Sequence, residues 1–345
     1  MRVVVVGAGV AGAIAALRAA ERGMEVTMVH HAAGASHRSL GVVDVLGYLE
    51  EEVESPAEGV EWICRHRKEH PYALTGADTV AEALEFFRRK AEEAEMRFEG
   101  SLDENIHVAT QFGTVKPTCL APERVYTGRV ELWDGAMVGI SGRVQRDYSP
   151  AFIAASLAEL VPRLVKVRPA EVVHGEGELT LKPLSQSGDG EAALPLLGDG
   201  RAVIEALVRL AESAGVRVVR DRITGGSFRG NLLEELRGVR STYRADAFVL
   251  ATGDWIGGGI HGRQELLGLD VAGRLELRKI PLPESGHPYA LRGVAVDGNL
   301  RPSRRGRRIE NLRVAGALLA GYDYCTEKSG WGVAIATGYL AGGVE

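Results

Sequence analysis

Cysteine is scarce in this chain: three in 345 residues, Cys64, Cys119 and Cys325. Their spacing forms neither a pair nor a metal-ligand cluster. That excludes a disulfide framework and a cysteine-built metal centre, and it suits a reducing compartment. Long apolar runs are also missing: no uninterrupted stretch reaches the about 18 residues of a membrane-spanning helix, so no transmembrane segment is expected. Neither sign of charge dominates, with 41 Lys and Arg against 46 Asp and Glu and a formal net charge of −5. That balance gives no basis for a nucleic-acid or polyanionic partner. Lysine itself is rare, 7 against 34 arginines, and asparagine and glutamine number 4 each, a pattern that thermophilic and GC-rich genomes share. Repeats and low-complexity tracts are absent. The length suffices for one large or two moderate domains.

Glycine is abundant, 44 residues, and its placement carries chemistry. Val3-Val4-Val5-Val6 reads as a buried strand, Gly7-Ala8-Gly9-Val10-Ala11-Gly12 as a Gly-x-Gly-x-x-Gly turn, and the alanine-rich stretch to Gly23 as a helix. A second β-rich run covers 25–29. In such a unit Gly7 permits the tight turn, Gly9 lets the backbone approach a pyrophosphate, and Gly12 lets the helix pack closely on the strand. The first N–H groups of the helix and its positive dipole end then face the phosphates. Arg2 and the apolar run after it imitate a signal peptide, but cleavage there would remove strand and turn together, so no leader is expected. At the end of the second strand, where an acidic side chain usually holds the adenosine ribose, stands His30, followed by His31. Imidazole can donate to a ribose hydroxyl but cannot accept two hydrogen bonds as a carboxylate does.

Along the chain, 36–47 reads as a glycine-punctuated loop leading into a short apolar helix, and a strong helix is expected from Asp78-Thr79-Val80 onward. Residues 98–145 turn β-rich, with strands expected at Phe98, His107-Val108-Ala109, Gly113-Thr114-Val115, Arg129-Val130-Glu131-Leu132 and Ala136-Met137-Val138-Gly139-Ile140. Ser149-Pro150 starts a helix through Leu160, serine capping and proline sitting at the first helical position. An exposed loop is expected over 182–200, then a helix over 201–214, a strand over 216–220, a β excursion over 222–243, and Ala247-Phe248-Val249-Leu250-Ala251 ending in Thr252-Gly253. That turn would lie beside cofactor phosphates, where side-chain bulk would clash. Near the C-terminus, Asn311-Leu312-Arg313-Val314-Ala315-Gly316 is a short strand entering a glycine turn, and Lys328-Ser329-Gly330-Trp331-Gly332 leads into a small-residue helix. A helix start of this kind can aim N–H groups at the C2 carbonyl of a flavin, and Lys328 would add a full positive charge.

These elements predict an α/β fold of the two-dinucleotide-binding-domain (Rossmann-type) flavoprotein class with an inserted α+β substrate or cap domain. The flavin-binding part would be discontinuous, over 1–47, 200–260 and 293–345, with the cap over 48–199 and 261–292. The cofactor-binding residues would be Gly7, Gly9, Gly12, His30, Ser39, Gly41, Thr252, Gly253, Gly316, Lys328, Ser329, Gly330 and Gly332. No metal ligands are expected.

The chain resembles the B-type flavoprotein subunits of the anaerobic glycerol-3-phosphate dehydrogenase family. The motifs that carry the resemblance are Leu300-Arg301-Pro302-Ser303, Ile309-Glu310-Asn311-Leu312, the Gly316 turn, Gly321-Tyr322-Asp323 and the Gly330-x-Gly332-Val333 helix start. Others are His37-x-Ser39-x-Gly41-x-x-Asp44, His70-Pro71-Tyr72, Phe112-Gly113-Thr114 and Gly139-Ile140-Ser141-Gly142. The family too lacks an acidic residue at the position of His30. The chain looks shorter than usual in the middle, and it adds a basic run, Arg304-Arg305-x-Arg307-Arg308. The resemblance implies an FMN flavoprotein, while FAD is equally compatible with the glycine motif. It further implies a catalytic flavoprotein subunit and an iron–sulfur, membrane-associated subunit as partners, and a cytoplasmic location at the inner face of the membrane through them. The assembly oxidises sn-glycerol 3-phosphate to dihydroxyacetone phosphate and passes electrons toward quinone.

Removing hydride from a secondary alcohol needs a base for the hydroxyl proton. His37, in the loop after the second strand, and Lys328 are the candidate catalytic residues. His261, His287 and Arg301 stand in loops that could meet a phosphate or carboxylate, and 304–308 reads as an exposed hairpin. A non-catalytic assembly subunit that keeps the fold with weak or no cofactor is the alternative function.

Overall fold

The computed structural model describes residues 1–135, 137–141, 149–165, 171–175, 180–184, 194–195, 200–254, 266–272 and 292–344. Strand β1 (Arg2–Val6) runs through the glycine turn into α1 (Val10–Glu21), and β2 (Glu25–His30) returns parallel to β1. Val3 to Val6 are all buried, the mark of a strand covered on both faces. The expected short helix after the 36–47 loop begins only at Pro56, because Ser55 supplies its cap: its side chain accepts the Glu58 N–H at the start of α2 (Pro56–His66). The ring of His70 caps α3 (Pro71–Thr75) in the same way, and α4 (Ala77–Glu93) follows.

The middle of the chain is α+β. Phe98–Gly100 pairs with Leu120–Pro122, and Ile106–Ala109 with Val115–Thr118, both antiparallel. Gly113, expected in a strand, instead turns that second hairpin at φ +73°, braced by Thr110 and Thr114 at 2.7 Å. The strand expected over 129–132 is also corrected: Val130–Trp133 is a 3-10 turn, which buries Trp133 completely and lets its indole N–H reach the Gly128 carbonyl at 3.2 Å. Met137–Ser141 lies between Glu171–Gly175 and Thr180–Leu184, with Leu194–Pro195 at the edge and α5 (Pro150–Leu164) nearby. Residues 182–184 and 194–195 of the expected loop are thus in strands. Its remaining residues, other than Gly200, and Ala136 and Gly142 lie outside the described residues.

The chain then returns through α6 (Gly200–Ser213), β3 (Arg217–Arg220), a three-stranded antiparallel excursion from Ile223 to Tyr243, β4 (Ala247–Leu250), β5 (Leu312–Val314) and α7 (Gly330–Gly342). The main sheet has the order β3-β2-β1-β4-β5, and every pairing is parallel. The largest core joins Val5, Ile14, Met28, Phe248 and Ile335 of this unit with Val60, Ile63, Tyr72 and Phe87 of α2 to α4. A separate core gathers Trp133, Val138, Ile140, Ile153 and Leu157. Helix α7 lies directly on α1: a Cβ at Gly338 or Gly342 would sit 2.5 and 2.4 Å from the carbonyl oxygens of Ala11 and Ala15. Small residues at these positions let the two backbones approach. Among the described residues, no helix is long and apolar enough to cross a membrane, and no cluster of His, Cys, Asp and Glu could hold a metal ion.

Candidate functional site

The carboxyl ends of β1 and β4 build the site. The Gly7 N–H donates to the Val29 carbonyl at 2.8 Å, and its φ of +114° turns the chain away from β1. A Cβ there would lie 2.1 Å from the Ala251 carbonyl oxygen, so the first glycine is demanded by both backbone and neighbour. Gly12 is demanded by packing alone, since its Cβ would fall 2.0 Å from the Gly7 oxygen. Gly9 differs. It is the N-cap of α1, extended at φ −83° and ψ −171°, with no side chain capping the helix, and its nearest neighbour to a Cβ is Ser36 Oγ at 3.5 Å. The first amides of α1 are therefore uncapped and approachable, the arrangement an anionic group requires.

Across this turn, Thr252 and Gly253 extend β4, and Gly253 is left-handed at φ +76°. The Thr252 Oγ1 is buried without a partner, as is Nδ1 of His37. Orphaned buried polar atoms on both sides of an open backbone cradle fit a polar cofactor running between them. Asp254, next in the chain, accepts a short hydrogen bond from the Tyr324 hydroxyl and so links this turn to the approach to α7. Burial, reinforced by that bond and by the charge of Asp254, pushes the Tyr324 phenol well up.

His30 and His37 form one corner. The His30 carbonyl accepts the Asp221 N–H at 2.8 Å, which fastens the end of β2 to β3. Its ring is held below the usual histidine value by burial, then by the charges of Arg220 and His37. His37, in the turn Ala35–Arg38, is lowered by burial and by Arg201 at the start of α6. Both rings are thus neutral near pH 7. His37 stands with His30 and α6, whereas Lys328 stands at the start of α7, and no hydrogen bond or ion pair among the described residues joins the two candidate catalytic residues. Ser39 braces the loop: its hydroxyl donates to the Ser36 carbonyl at 2.8 Å and accepts the Gly41 N–H at 3.2 Å, and its carbonyl accepts the Gly200 N–H.

At the other end, Lys328 is left-handed at φ +50°, and its ammonium donates to the Cys325 carbonyl at 2.6 Å. Ser329 is the fully buried N-cap of α7, and Gly330 has only ordinary contacts with Tyr324 around it. Two expected cofactor glycines are engaged by the protein itself. The Gly332 N–H donates to the Asp44 carbonyl at 2.9 Å, and a Cβ there would meet the Tyr72 hydroxyl at 2.2 Å. The Gly316 N–H donates to Thr337 Oγ1 at 2.9 Å. Neither amide is free to bind a ligand; both glycines serve close packing. Arg301 is likewise engaged, by Asp297 at 3.0 Å and Glu310 at 2.7 Å, while His261 and His287 lie outside the described residues. The arginine-rich stretch is a two-stranded hairpin, Ser303–Arg304 with Arg307–Arg308, whose turn amides donate to Asp270.

Sequence reasoning did not single out two ion-pair centres at this end. Lys116 on the second hairpin of the middle segment meets Asp44 at 2.6 Å. Glu327, almost fully buried, meets Arg67 at 2.9 Å and His70 at 3.1 Å. The motifs His70-Pro71-Tyr72 and His37-x-Ser39-x-Gly41-x-x-Asp44 contained the signal, but only for one partner of each pair.

A parallel sheet with an uncapped glycine turn at its carboxyl end defines a nucleotide-cofactor protein of the Rossmann type. The chain belongs to the FAD binding domain family, whose model matches residues 2–271, and it is a flavin-dependent oxidoreductase. It is similar to the B-type subunit of anaerobic glycerol-3-phosphate dehydrogenase of Vibrio cholerae serotype O1, 29% identical with 98% of this chain and 95% of the relative covered. It is similar to a probable subunit of the same type from Halobacterium salinarum at 29% identity, covering 99% and 96%. Among solved structures, an open flavocytochrome c3 fumarate reductase shares the fold at a TM-score of 0.51 and 13% identity, over 99% of this chain and 77% of that one. Mycobacterium smegmatis Sdh1 in complex with UQ1 does so at 0.51 and 14%, over 99% and 67%.

Proposed function

We propose that this chain is a flavin-bearing subunit of an assembly that oxidises sn-glycerol 3-phosphate to dihydroxyacetone phosphate and passes the electrons, through partner subunits, toward quinone. The observation that carries this reading is the uncapped Gly9 cradle facing the orphaned Thr252 hydroxyl, in a chain similar over 98% of its length to a glycerol-3-phosphate dehydrogenase subunit. We take the cofactor to be FAD. A complete parallel sheet with an approachable α1 start, His30 at the end of β2 and His37 in the turn after it supports a site that holds a dinucleotide, with imidazole N–H groups donating to the ribose. When bound, the flavin supplies the two-electron acceptor that alcohol oxidation requires.

The chain's own residues bind and orient. The first amides of α1 neutralise phosphate charge, Thr252 donates to the cofactor, and the start of α7 with Lys328 supports negative charge on the flavin pyrimidine ring. The partners are a catalytic flavoprotein subunit and an iron–sulfur subunit at the membrane, with this chain on the cytoplasmic side.

The test is a visible spectrum of the purified protein, with mass analysis of the released cofactor and anaerobic reduction by sn-glycerol 3-phosphate, alone and with its partners. Flavin absorption bleached by that substrate is the expected result. A colourless protein that accepts neither FAD nor FMN would leave the assembly-subunit reading standing instead.

A further inference from the structure

Glu327 receives hydrogen bonds from five groups on four separate segments. Its carbonyl accepts the N–H groups of Gly47 and Tyr48, at 2.8 and 3.0 Å. One carboxylate oxygen accepts from Arg67 at 2.9 Å, at the end of α2. The other meets His70 Nε2 and the Ser329 hydroxyl, each at 3.1 Å. The Tyr72 N–H donates to His70 Nδ1 at 3.0 Å, so the ring carries its proton on Nε2, aimed at the carboxylate. Glu327, His70 and Ser329 are all buried, while the Arg67 side chain is 37% exposed. The carboxylate therefore ties together the end of α2, the start of α3 and the start of α7, and the backbone carbonyl of the same residue holds the loop after Asp44.

We propose that Glu327 is the positioning residue of the flavin's reactive end: it fixes Lys328, Ser329 and the α7 start in place, and its ion pair with Arg67 sets the reduction potential there. This rests on the flavin reading above. The physical argument is charge balance between a buried carboxylate and the partly exposed guanidinium that faces it. The carboxylate disfavours negative charge on a reduced flavin and the guanidinium favours it. Paired, they nearly cancel; with either removed, the other acts alone. A mere brace predicts lost stability in both variants and no opposed electrical effect.

The test is the flavin midpoint potential at pH 8 of the flavin-loaded wild type, Glu327→Gln and Arg67→Gln, measured beside thermal midpoints. The expected result is a higher potential for Glu327→Gln and a lower one for Arg67→Gln, with the double variant between them. Shifts of the same sign, or none while stability falls, would overturn the inference and leave Glu327 a structural brace. Should Glu327→Gln fail to fold, Arg67→Gln decides alone, because its partly exposed side chain can be shortened without opening the core. A wild-type protein that holds no flavin removes the underlying functional reading, an outcome visible before any variant is compared.

Discussion

Gly9→Val separates binding from folding at the one glycine of the turn that nothing in the protein crowds. The residue is extended, a conformation valine favours, and a Cβ would meet only Ser36 Oγ at 3.5 Å. Replacing an N-cap glycine by an apolar residue costs about 1 kcal/mol, a small part of a domain's stability of about 5–15 kcal/mol. Binding is affected far more. The added isopropyl group occupies the space through which a phosphate reaches the first amides of α1. Losing two charge-assisted hydrogen bonds at about 1.5–3 kcal/mol each removes about 3–6 kcal/mol, or about 10²- to 10⁴-fold in flavin affinity. Gly12→Ala is the contrast: its Cβ would fall 2.0 Å from the Gly7 oxygen, so it damages fold and site together. The assay is flavin content by absorbance after reconstitution, beside urea unfolding of the flavin-free forms. Wild-type flavin content in Gly9→Val, or flavin loss there only in proportion to lost stability, would refute the assignment of the cradle.

Phe87 is fully buried and meets Phe98 edge-on at 4.9 Å and Trp331 of α7 at 6.4 Å; Phe87→Ala should cost about 3–5 kcal/mol in urea unfolding. The His107 ring lies between Glu131 and Glu52, 2.7 Å from each. Burial opposes its charge, yet hydrogen bonds to Glu131 and Glu52 outweigh burial and raise its pKa above 6.5. The stability it adds is present below 6.5 and disappears as pH rises through the folded value, so unfolding midpoints at pH 6 and 9 should differ less in His107→Gln than in wild type. Asp221 has the opposite sign. Burial raises its pKa, but the Tyr243 hydroxyl and the amides of Arg240, Arg222 and Ser241 more than reverse that and leave it below 3.8. Its contribution is present above 3.8 and is lost as pH falls through the folded value; Asp221→Asn should flatten the acid limb of the stability curve.

The dinucleotide unit was legible in the sequence because its signals are local. Val3 to Gly12 spell strand, turn and helix within one short stretch, Ala247 to Gly253 spell a strand and its turn, and the small residues after Ser329 spell a helix. The middle was read less well, for identifiable reasons. Arg129 to Leu132 alternates like a strand, yet burial of Trp133 and its indole bond to Gly128 favour a tight turn. Gly332 and Gly316 look like cofactor glycines by position, but whether an amide faces a ligand or a neighbouring carbonyl depends on packing between distant segments. Glu327 was invisible for the same reason: its partner Arg67 lies 260 positions away, and no local pattern distinguishes a buried carboxylate from a solvated one.

The packing of α7 on α1, with β1 held between β2 and β4, has a consequence for biogenesis. The nucleotide-binding unit is assembled from segments far apart in the sequence, so the glycine turn leaves the ribosome well before the neighbours that shape it. Until β4 and α7 emerge, one edge of β1 and the outer face of α1 stay uncovered, a strand edge and an apolar surface open to aberrant pairing. Cofactor capture is then among the last events of maturation, and contacts of such long sequence separation place the chain among slow folders. Truncation within α7 should therefore disable a cradle distant from it in the sequence without altering one residue of that cradle.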